Sequence, residues 1–497
     1  MPQQPLLDDA EFAGIRGEFV LKVDGDRPIL YPMDYSNTNV HYLLPTEGLA
    51  LSLFDGRTRF SDVREVYLAL FPDAGPDDFD SILRSVDERV RRSPSTVGIG
   101  ADGVFETSPE PIGDAIVYEP RDFVVSPEAH AARLADPRTR TRLDLPINVY
   151  TVFTHHCVTR CLYCYAERSR VAEMPLERWE EILDELVELG IHLASPDNGD
   201  TLARPDGLRF LEMLLERDLY FLLSTKAHLG RGDVERLLEA GLTKPIRGRV
   251  QRQVQLSIDA VDPEVSRRLL GTGRSRIPEN QETLENFLHF GVMPIVKGVI
   301  TGLNVDQILP IVEAYYPLGA RRFSFVRYTR TFHRHRDELY VRAEHLDRIR
   351  RQVDTIRTRY PDITLDENLT GGIGPSLEEL TDEQRQSLWA NRIGCGGGWM
   401  ALGVSADGAA FLCEQMVIRE PFVVGDARTQ SIREIWESDA LRDFVFPVRE
   451  QFEGTPCHSC PDFEECLWVQ GRCYRDAFFA YGSVFCPPPL CPRNDRS

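Results

Sequence analysis

Cys157, Cys161 and Cys164 fall within eight residues of one another in FTHHCVTRCLYCYAERS, at spacings of four and three. Thiolates are soft ligands that suit zinc or iron–sulfur centres. A structural zinc site closes with four donors, and this stretch offers three thiols. A cubane cluster has four irons, so three cysteines would leave one iron free to take an outside ligand. The other eight of the eleven cysteines run from Cys395 to Cys491, with none before Cys157 and none between Cys164 and Cys395. Twelve residues separate Cys395 from Gly408 and four separate Gly408 from Cys413. Then come Cys457-x-x-Cys460, Cys466 after five more residues, Cys473 after six, and finally Cys486 and Cys491. Three thiols and then twice four is not the distribution of a disulfide scaffold; such spacing in a long chain points to metal. The competing readings are a zinc loop one ligand short, buried free thiols, and a zinc-ribbon cap built on the late eight.

The rest of the composition limits what such a centre could serve. The chain has 497 residues, 42% hydrophobic and 27% charged, an ordinary balance for about three globular domains. Its start lacks a basic region backed by an apolar run, and no apolar stretch reaches bilayer length, so the expected setting is cytoplasmic with no membrane partner. A formal net charge of −21 repels a phosphate backbone, which disfavours nucleic acid and favours a small molecule or peptide.

The elements that must position the thiols follow from periodicity. Residues 1–115 read as a module of their own. Two apolar runs flank Asp24-Gly25 in FVLKVDGDRPILYP, NVHYLLP offers a third strand, and two helices follow. Val63, Val66, Tyr67 and Leu70 share a face of the first helix; Phe79, Ile82, Leu83, Val86 and Val90 share a face of the second. The pattern predicts a winged helix-turn-helix. Residues 116–144 are polar and proline-bearing, a linker. From 145 to 330 six apolar runs alternate with amphipathic helices, predicting a partial (β/α)6 barrel with right-handed crossovers. Leu176, Trp179, Ile182, Leu183, Leu186 and Leu189 form one stripe that stops at Gly190, and Asn304 with Gln307 reads as a capping box. Residues 331–390 read as a charged helical bridge. Residues 391–497, rich in Cys, Pro and Gly, read as short of apolar surface, so bound metal is expected to supply much of their stability.

Cys157-x-x-x-Cys161-x-x-Cys164, with aromatic Tyr163 before the last cysteine and a barrel strand just upstream, resembles the radical S-adenosylmethionine (SAM) enzymes. The resemblance implies a 4Fe-4S cluster whose open iron chelates SAM, and an electron that cleaves it to methionine and a 5′-deoxyadenosyl radical. It further implies cofactor contacts. Asn198-Gly199-Asp200-Thr201 stands where the family has a Gly-Gly-Glu-Pro turn. Ser257 and Asp259 occupy the polar positions of strand four, and Lys226 ends strand three. Gly298, Ile300 and Gly302 resemble the adenine motif, with Val305 in place of its acid. His155, His156, Asp197, Arg327, Tyr328 and Arg330 fall at strand ends or loops, and none is assigned a catalytic role.

The late cysteines resemble the SPASM extension of that family, which holds two auxiliary 4Fe-4S clusters and would bring the total to three. By order, Cys395, Cys413 and Cys473 would hold the first and Cys457, Cys460 and Cys466 the second, with Cys486 and Cys491 left to complete them. LLPTEGLALSLFDGRTRFSDVREVYLALF, with its Asp55-Gly56 turn, is similar to the recognition element of enzymes that modify ribosomally made peptides. There a leader peptide adds to a sheet edge. Together the resemblances imply a peptide maturase that takes a precursor peptide by its leader, draws electrons from a flavodoxin or ferredoxin, and installs a thioether, carbon–carbon or ether crosslink. Epimerisation, backbone excision and sulfatase-type oxidation of Ser or Cys to formylglycine remain open, as does a metal-stabilised winged-helix regulator.

Overall fold

The computed structural model describes residues 6–33, 39–93, 101–246, 250–370, 380–392 and 394–494. Near the N-terminus, β1 (Phe12–Ile15) is followed by the hairpin β2 (Phe19–Asp24) and β3 (Arg27–Pro32), closed at Gly25 with φ +64°, and by the short β4 (His41–Tyr42). The strands foreseen from sequence are these last three, paired in the antiparallel order β2-β3-β4. A second sheet was not foreseen. In it β1 pairs antiparallel with both β5 (Asp55–Arg59) and β6 (Phe105–Ser108). Asp55 Oδ1 accepts from the Arg57 and Thr58 amides at 2.8 Å, and Gly56 has φ +69°. A Cβ at Gly56 would stand 2.3 Å from the Ala115 methyl, so the turn tolerates no side chain there.

Helices α1 (Pro45–Ser52), α2 (Phe60–Leu70) and α3 (Pro76–Arg92) pack on these sheets around Phe54, Phe60, Tyr67 and Phe79. On α3 the expected stripe is buried, with Ile82 at its margin. On α2 Val63 and Tyr67 are buried, but Val66 and Leu70 are 48% and 52% exposed. The sequence stripe is wider than the face that α3 covers.

Residues 116–144 are not a loose linker. Phe123 enters the N-terminal core, and α4 (Pro127–Ala135) delivers a nearly buried Arg133 to Asp24 at 3.0 Å, Asp26 at 3.2 Å and Asp144 at 2.8 Å. That guanidinium fastens the β2–β3 turn to the chain entering the barrel.

The barrel strands are β7 (Asn148–Thr151), β8 (Leu193–Ser195), β9 (Leu222–Thr225), β10 (Gln253–Ser257), β11 (Ile295–Ile300) and β12 (Arg322–Arg327). All run parallel; β8 meets β9 through the single bridge Leu193–Tyr220. Outside them lie α5 (Leu176–Glu188), α6 (Gly207–Glu216), α7 (Arg231–Glu239), α8 (Pro263–Leu270), α9 (Ile277–His289) and α10 (Ile308–Tyr315). Trp179, Ile182, Leu183 and Leu186 are buried as the α5 stripe predicts, and Gly190 at φ +66° ends it. Asn304 and Gln307 do not form a capping box. Asn304 Nδ2 donates to the Asp259 and Val299 carbonyls at 2.8 and 3.0 Å, while Gln307 Oε1 accepts from the Val261 and Asp262 amides. Both side chains tie the end of β10 to the end of β11 instead.

Each edge of the barrel gains a strand that sequence did not supply. The expected helical bridge holds α11 (Ala343–Arg359), then β13 (Thr364–Asn368) parallel to β12, and later α12 (Asp382–Ala390). Positions 371–379 of that bridge lie outside the described residues. On the other edge β14 (Ala401–Val404) runs parallel to β7 and continues antiparallel into β15 (Ala409–Phe411) and β16 (Val423–Asp426). Ile432, Ile435, Trp436 and Leu441 pack into the same apolar cluster as the barrel helices. The C-terminal part thus has an apolar core, shared with the barrel, contrary to the expectation that metal substitutes for one.

Candidate active site

The strands end in a cavity of about 460 Å³, walled on one side by the cysteine loop that follows β7. This loop has no regular element, and its shape comes from borrowed backbone bonds. The Arg160 and Leu162 amides donate to the Leu270 and Leu269 carbonyls at 2.7 and 2.8 Å, at the end of α8. Gly271, with φ +59°, lets the chain pass; a Cβ there would lie 2.7 Å from the Arg160 carbonyl. Thr159 Oγ1 stands 3.5 Å from Cys157 Sγ and 3.2 Å from Cys161 Sγ. Arg168 donates to the Thr159 carbonyl at 2.6 Å, with its guanidinium 4.0 Å from Cys164 Sγ. All three thiols line the cavity. Burial pushes the Cys161 thiol up to about 11, against the pull of Lys226. It becomes a thiolate at neutral pH only when more positive charge arrives, as a metal provides.

Opposite the thiols, β10 presents Gln255, Ser257 and then Asp259 on one face, as strand alternation requires. Asp259 accepts from the Tyr163 hydroxyl, takes the Val299 amide at 3.0 Å and pairs with Lys226 at 3.4 Å. Burial and the Asp259 charge hold the Tyr163 phenol well above its usual range. Burial works against the Lys226 cation, but Asp259, Cys161 and Cys157 outweigh it and raise its pKa. Asp200 does not face outward as a free acid. It accepts from Thr225 Oγ1 at 2.9 Å and from the Lys226 amide at 2.9 Å, while its own amide donates to the His156 carbonyl at 2.8 Å. It therefore locks the turn after β8 to the cysteine loop.

That turn has the marks of a ligand cradle. Asn198 sits at φ +58° and Gly199 at φ +23°. A Cβ on Gly199 would stand 2.0 Å from the Thr154 carbonyl. Asn198 lines the cavity, and neither Oδ1 nor Nδ2 of its buried amide has a partner. A buried amide without a protein partner is costly, and in a cavity wall it is free to bond a ligand. Three thiols, this amide and a cavity in the range of cofactor sites fit a cluster with SAM beside it.

Gly298 and Ile300 do not line the cavity. On β11 they point to the helix side, where Ile300 joins the apolar core and a Cβ on Gly298 would press on Phe325; Lys297 and Val299 hold the opposite parity and face the cavity. Gly302 is packed against the Glu338 and Tyr340 carbonyls. Arg327, Tyr328 and Asp197 line the cavity. His155 is buried between the Ser169 carbonyl and the Ser405 hydroxyl, His156 is exposed, and Arg330 lies over the Phe479 ring. Periodicity missed Lys297, Tyr165, Arg168, Glu414 and Gln415, all cavity-lining. Glu414 comes from the C-terminal part, and burial raises its carboxyl. Its place directly after Cys413 was the available signal.

The late cysteines divide in two. Cys395, Cys413 and Cys473 act on one another's charge beside Glu414 and Arg475. Cys457, Cys460, Cys466 and Cys491 line a separate cavity of about 590 Å³. Cys491 thus lines the same cavity as Cys457, Cys460 and Cys466. Cys486 acts with Cys457 and Cys466 on the buried Arg472, which donates to the Cys486 carbonyl at 3.3 Å. Burial pushes Cys395 and Cys457 up to about 12 and Cys466 to about 11, and raises Cys413, Cys473 and Cys491 as well. Among the described residues no three His, Cys, Asp or Glu side chains converge closely enough to hold a single metal ion. The thiols ring volumes rather than a point.

Parallel strands closing on a three-thiol loop, with a cysteine-rich extension on one edge, define a class. The model of the radical SAM superfamily matches residues 151–306, and that of the SPASM iron–sulfur cluster-binding domain matches residues 395–461. The chain is a radical SAM enzyme with a C-terminal SPASM domain, and its cofactors are SAM and iron–sulfur clusters. It is 24% identical over 361 residues to the PqqA peptide cyclase of Granulibacter bethesdensis, spanning 70% of this chain and 88% of that one. To the PqqA peptide cyclase of Streptomyces rochei it is 25% identical over 366 residues, spanning 72% and 91%. Among solved structures, Streptococcus suis SuiB bound to precursor peptide SuiA superposes over 96% of this chain and 98% of its own, with TM-score 0.60 and 17% identity. No helix among the described residues is long and apolar enough to cross a membrane.

Proposed function

We propose that this enzyme modifies a ribosomally made precursor peptide, holding the leader on its N-terminal module and forming a crosslink in the core peptide. The observation that carries the reading is the juxtaposition of three thiols, the orphaned Asn198 amide and Glu414 of the C-terminal part around one cavity. Cys157, Cys161 and Cys164 hold the first cluster. SAM bound there supplies a 5′-deoxyadenosyl radical that removes hydrogen from unactivated carbon. Asn198, Gly199, Lys226, Ser257 and Asp259 bind and orient SAM, with Tyr163 and Asp200 holding their loops in place. Cys457, Cys460, Cys466 and Cys491 hold one auxiliary cluster, and Cys395, Cys413 and Cys473 the other, for three in all. Clusters held by these thiols would supply an acceptor for the electron left when a substrate radical becomes a closed-shell product.

Relatives named for a peptide substrate, and a fold shared end to end with a protein crystallised on its precursor peptide, support the peptide assignment. The sheet β2-β3-β4 is the surface to which a leader would add as a strand. The test is anaerobic turnover with SAM, dithionite and a candidate precursor peptide that carries both a leader and a core segment. Loss of two hydrogens from the core peptide, one from each of the two residues that become joined, abolished when the leader is removed, is expected. Equal processing of a leaderless Ser or Cys peptide to formylglycine would replace this reading with the sulfatase-type one. Two zincs and no iron in the purified chain would replace it with the regulator.

A further inference from the structure

The cavity of about 590 Å³ lined by Cys457, Cys460, Cys466 and Cys491 is set among arginines. Guanidinium groups donate to the carbonyls of four late cysteines: Arg449 to Cys460 at 2.7 Å, Arg472 to Cys486 at 3.3 Å, Arg392 to Cys466 at 3.4 Å and Arg385 to Cys491 at 3.5 Å. Arg392 and Arg472 do more than cap the backbone. Arg392, just past the end of α12, has its guanidinium carbon 3.8 Å from the centre of the Trp389 ring and donates to the Trp389 and Gly471 carbonyls at 2.8 and 3.2 Å. Held in this way, its Nη2 stands 3.3 Å from Cys466 Sγ. Arg472 is 2% exposed and lies within the field of Cys457, Cys466 and Cys486. Its buried Nη2 has no hydrogen-bond partner among the described residues.

Neither Arg392 nor Arg472 forms an ion pair among the described residues. The acids in the cavity wall, Asp382, Asp462 and Glu465, are exposed, and Arg493 and Arg140 take up Asp462 and Glu465 at 2.7 and 3.4 Å. A guanidinium taken out of water without a counter-charge is costly. Thiolates gathered on an iron–sulfur cluster supply that counter-charge, so the residues present fit such a group. We propose that Arg392 is a positioning residue that raises the reduction potential of the cluster held at Cys457, Cys460 and Cys466, acting through Cys466 Sγ. The inference rests on the assignment of those thiols as cluster ligands. Reduction adds one negative charge, and a fixed cation with an N–H pointing at a ligand sulfur favours the reduced form over the oxidised one. The guanidinium keeps its charge at neutral pH, so the bias is permanent. Without it the same cluster would take up an electron less readily.

The test is an anaerobic redox titration of full-length, reconstituted enzyme followed by electron paramagnetic resonance, with C460A identifying the signal that belongs to this cluster. In R392Q the midpoint of that signal should fall by at least a tenfold change in the reduction equilibrium, about 59 mV for one electron, while iron content and the other midpoints hold. R392K keeps the cation and should lose clearly less. W389L frees the guanidinium from its stack and leaves the thiols alone; it should lower the midpoint too, and it decides the matter if R392Q loads too little iron to titrate. An unchanged midpoint in R392Q, or in W389L where R392Q does not load, overturns the role of Arg392. So does a fall in R392K as large as that in R392Q, or a fall shared by every cluster. If C460A loses neither iron nor signal, the cluster assignment itself is overturned, and this inference with it.

Discussion

Lys226 Nζ lies 3.4 Å from Asp259 Oδ2, linking the end of β9 to the end of β10 under the cysteine loop. The two side chains are 12% and 2% exposed, and the carboxylate also holds the Tyr163 hydroxyl and the Val299 amide. One acid thereby sets the position of the loop that carries the thiols and of the cation beside them. Asp259→Asn keeps the shape but strands a buried cation, a change that costs about 3–5 kcal/mol in comparable pairs. SAM affinity of the variant should drop by at least about tenfold, read by anaerobic equilibrium binding, with iron content retained; unaltered affinity would remove Asp259 from the site.

Gly199→Ala places a methyl where the Thr154 carbonyl already stands, at a backbone angle that L side chains rarely adopt. The turn must then move away from the cavity. The expected result is loss of SAM binding with a near-normal melting temperature, because the barrel core lies elsewhere. Asn198→Ala should weaken binding; it removes the desolvation cost of an amide with no protein partner but puts alanine at φ +58°, a strain of about 1 kcal/mol, so the two effects on folding largely offset.

Arg133 is the fastening between the N-terminal module and the barrel. Arg133→Ala leaves Asp24, with a side chain 2% exposed, short of one of its two cations and should destabilise the chain by about 3–5 kcal/mol in denaturant unfolding. Asp144→Asn should cost much less, about 1 kcal/mol or below, because the Asp144 side chain is 51% exposed. Similar losses for the two would mean that burial is not what gives the junction its strength.

His41, on β4, is pushed down to about 4 by burial and by Arg89. Its folded pKa lies below the ordinary value of 6.5, so its contribution to stability is complete above that value and is lost as pH falls toward 4. Near pH 5 the loss attributable to this ring is about 2 kcal/mol. Unfolding of the wild type and of His41→Gln, compared at neutral pH and near pH 5, should show the variant with the flatter response. Parallel responses would mean that His41 does not titrate in this window.

Local pattern revealed much of this architecture. The α5 stripe from Trp179 to Leu186, the Asp24-Gly25 hairpin and the six barrel strands all reflect periodicity that burial imposes on sequence. What pattern could not show was long-range pairing. β14 and β13 are short runs that become strands only because the edges of β7 and β12 are open to them. At the site, the three thiols and the Gly199 turn were visible as residue types. Gly298 and Ile300 fell on the wrong face because a motif match carries no strand parity, whereas Lys297 would have emerged from alternation alone. Arg133 was illegible because its partners lie on other segments of the chain, whereas Glu414 was marked only by its place directly after Cys413.

The direct test of the central claim is 5′-deoxyadenosine formation by anaerobically reconstituted protein with SAM and dithionite, in the wild type and in Cys161→Ala. The account predicts nucleoside from the wild type, with about twelve irons per chain, and none from the variant, whose auxiliary thiols are intact. Nucleoside from both, or from neither while the wild type still carries its iron, would contradict it.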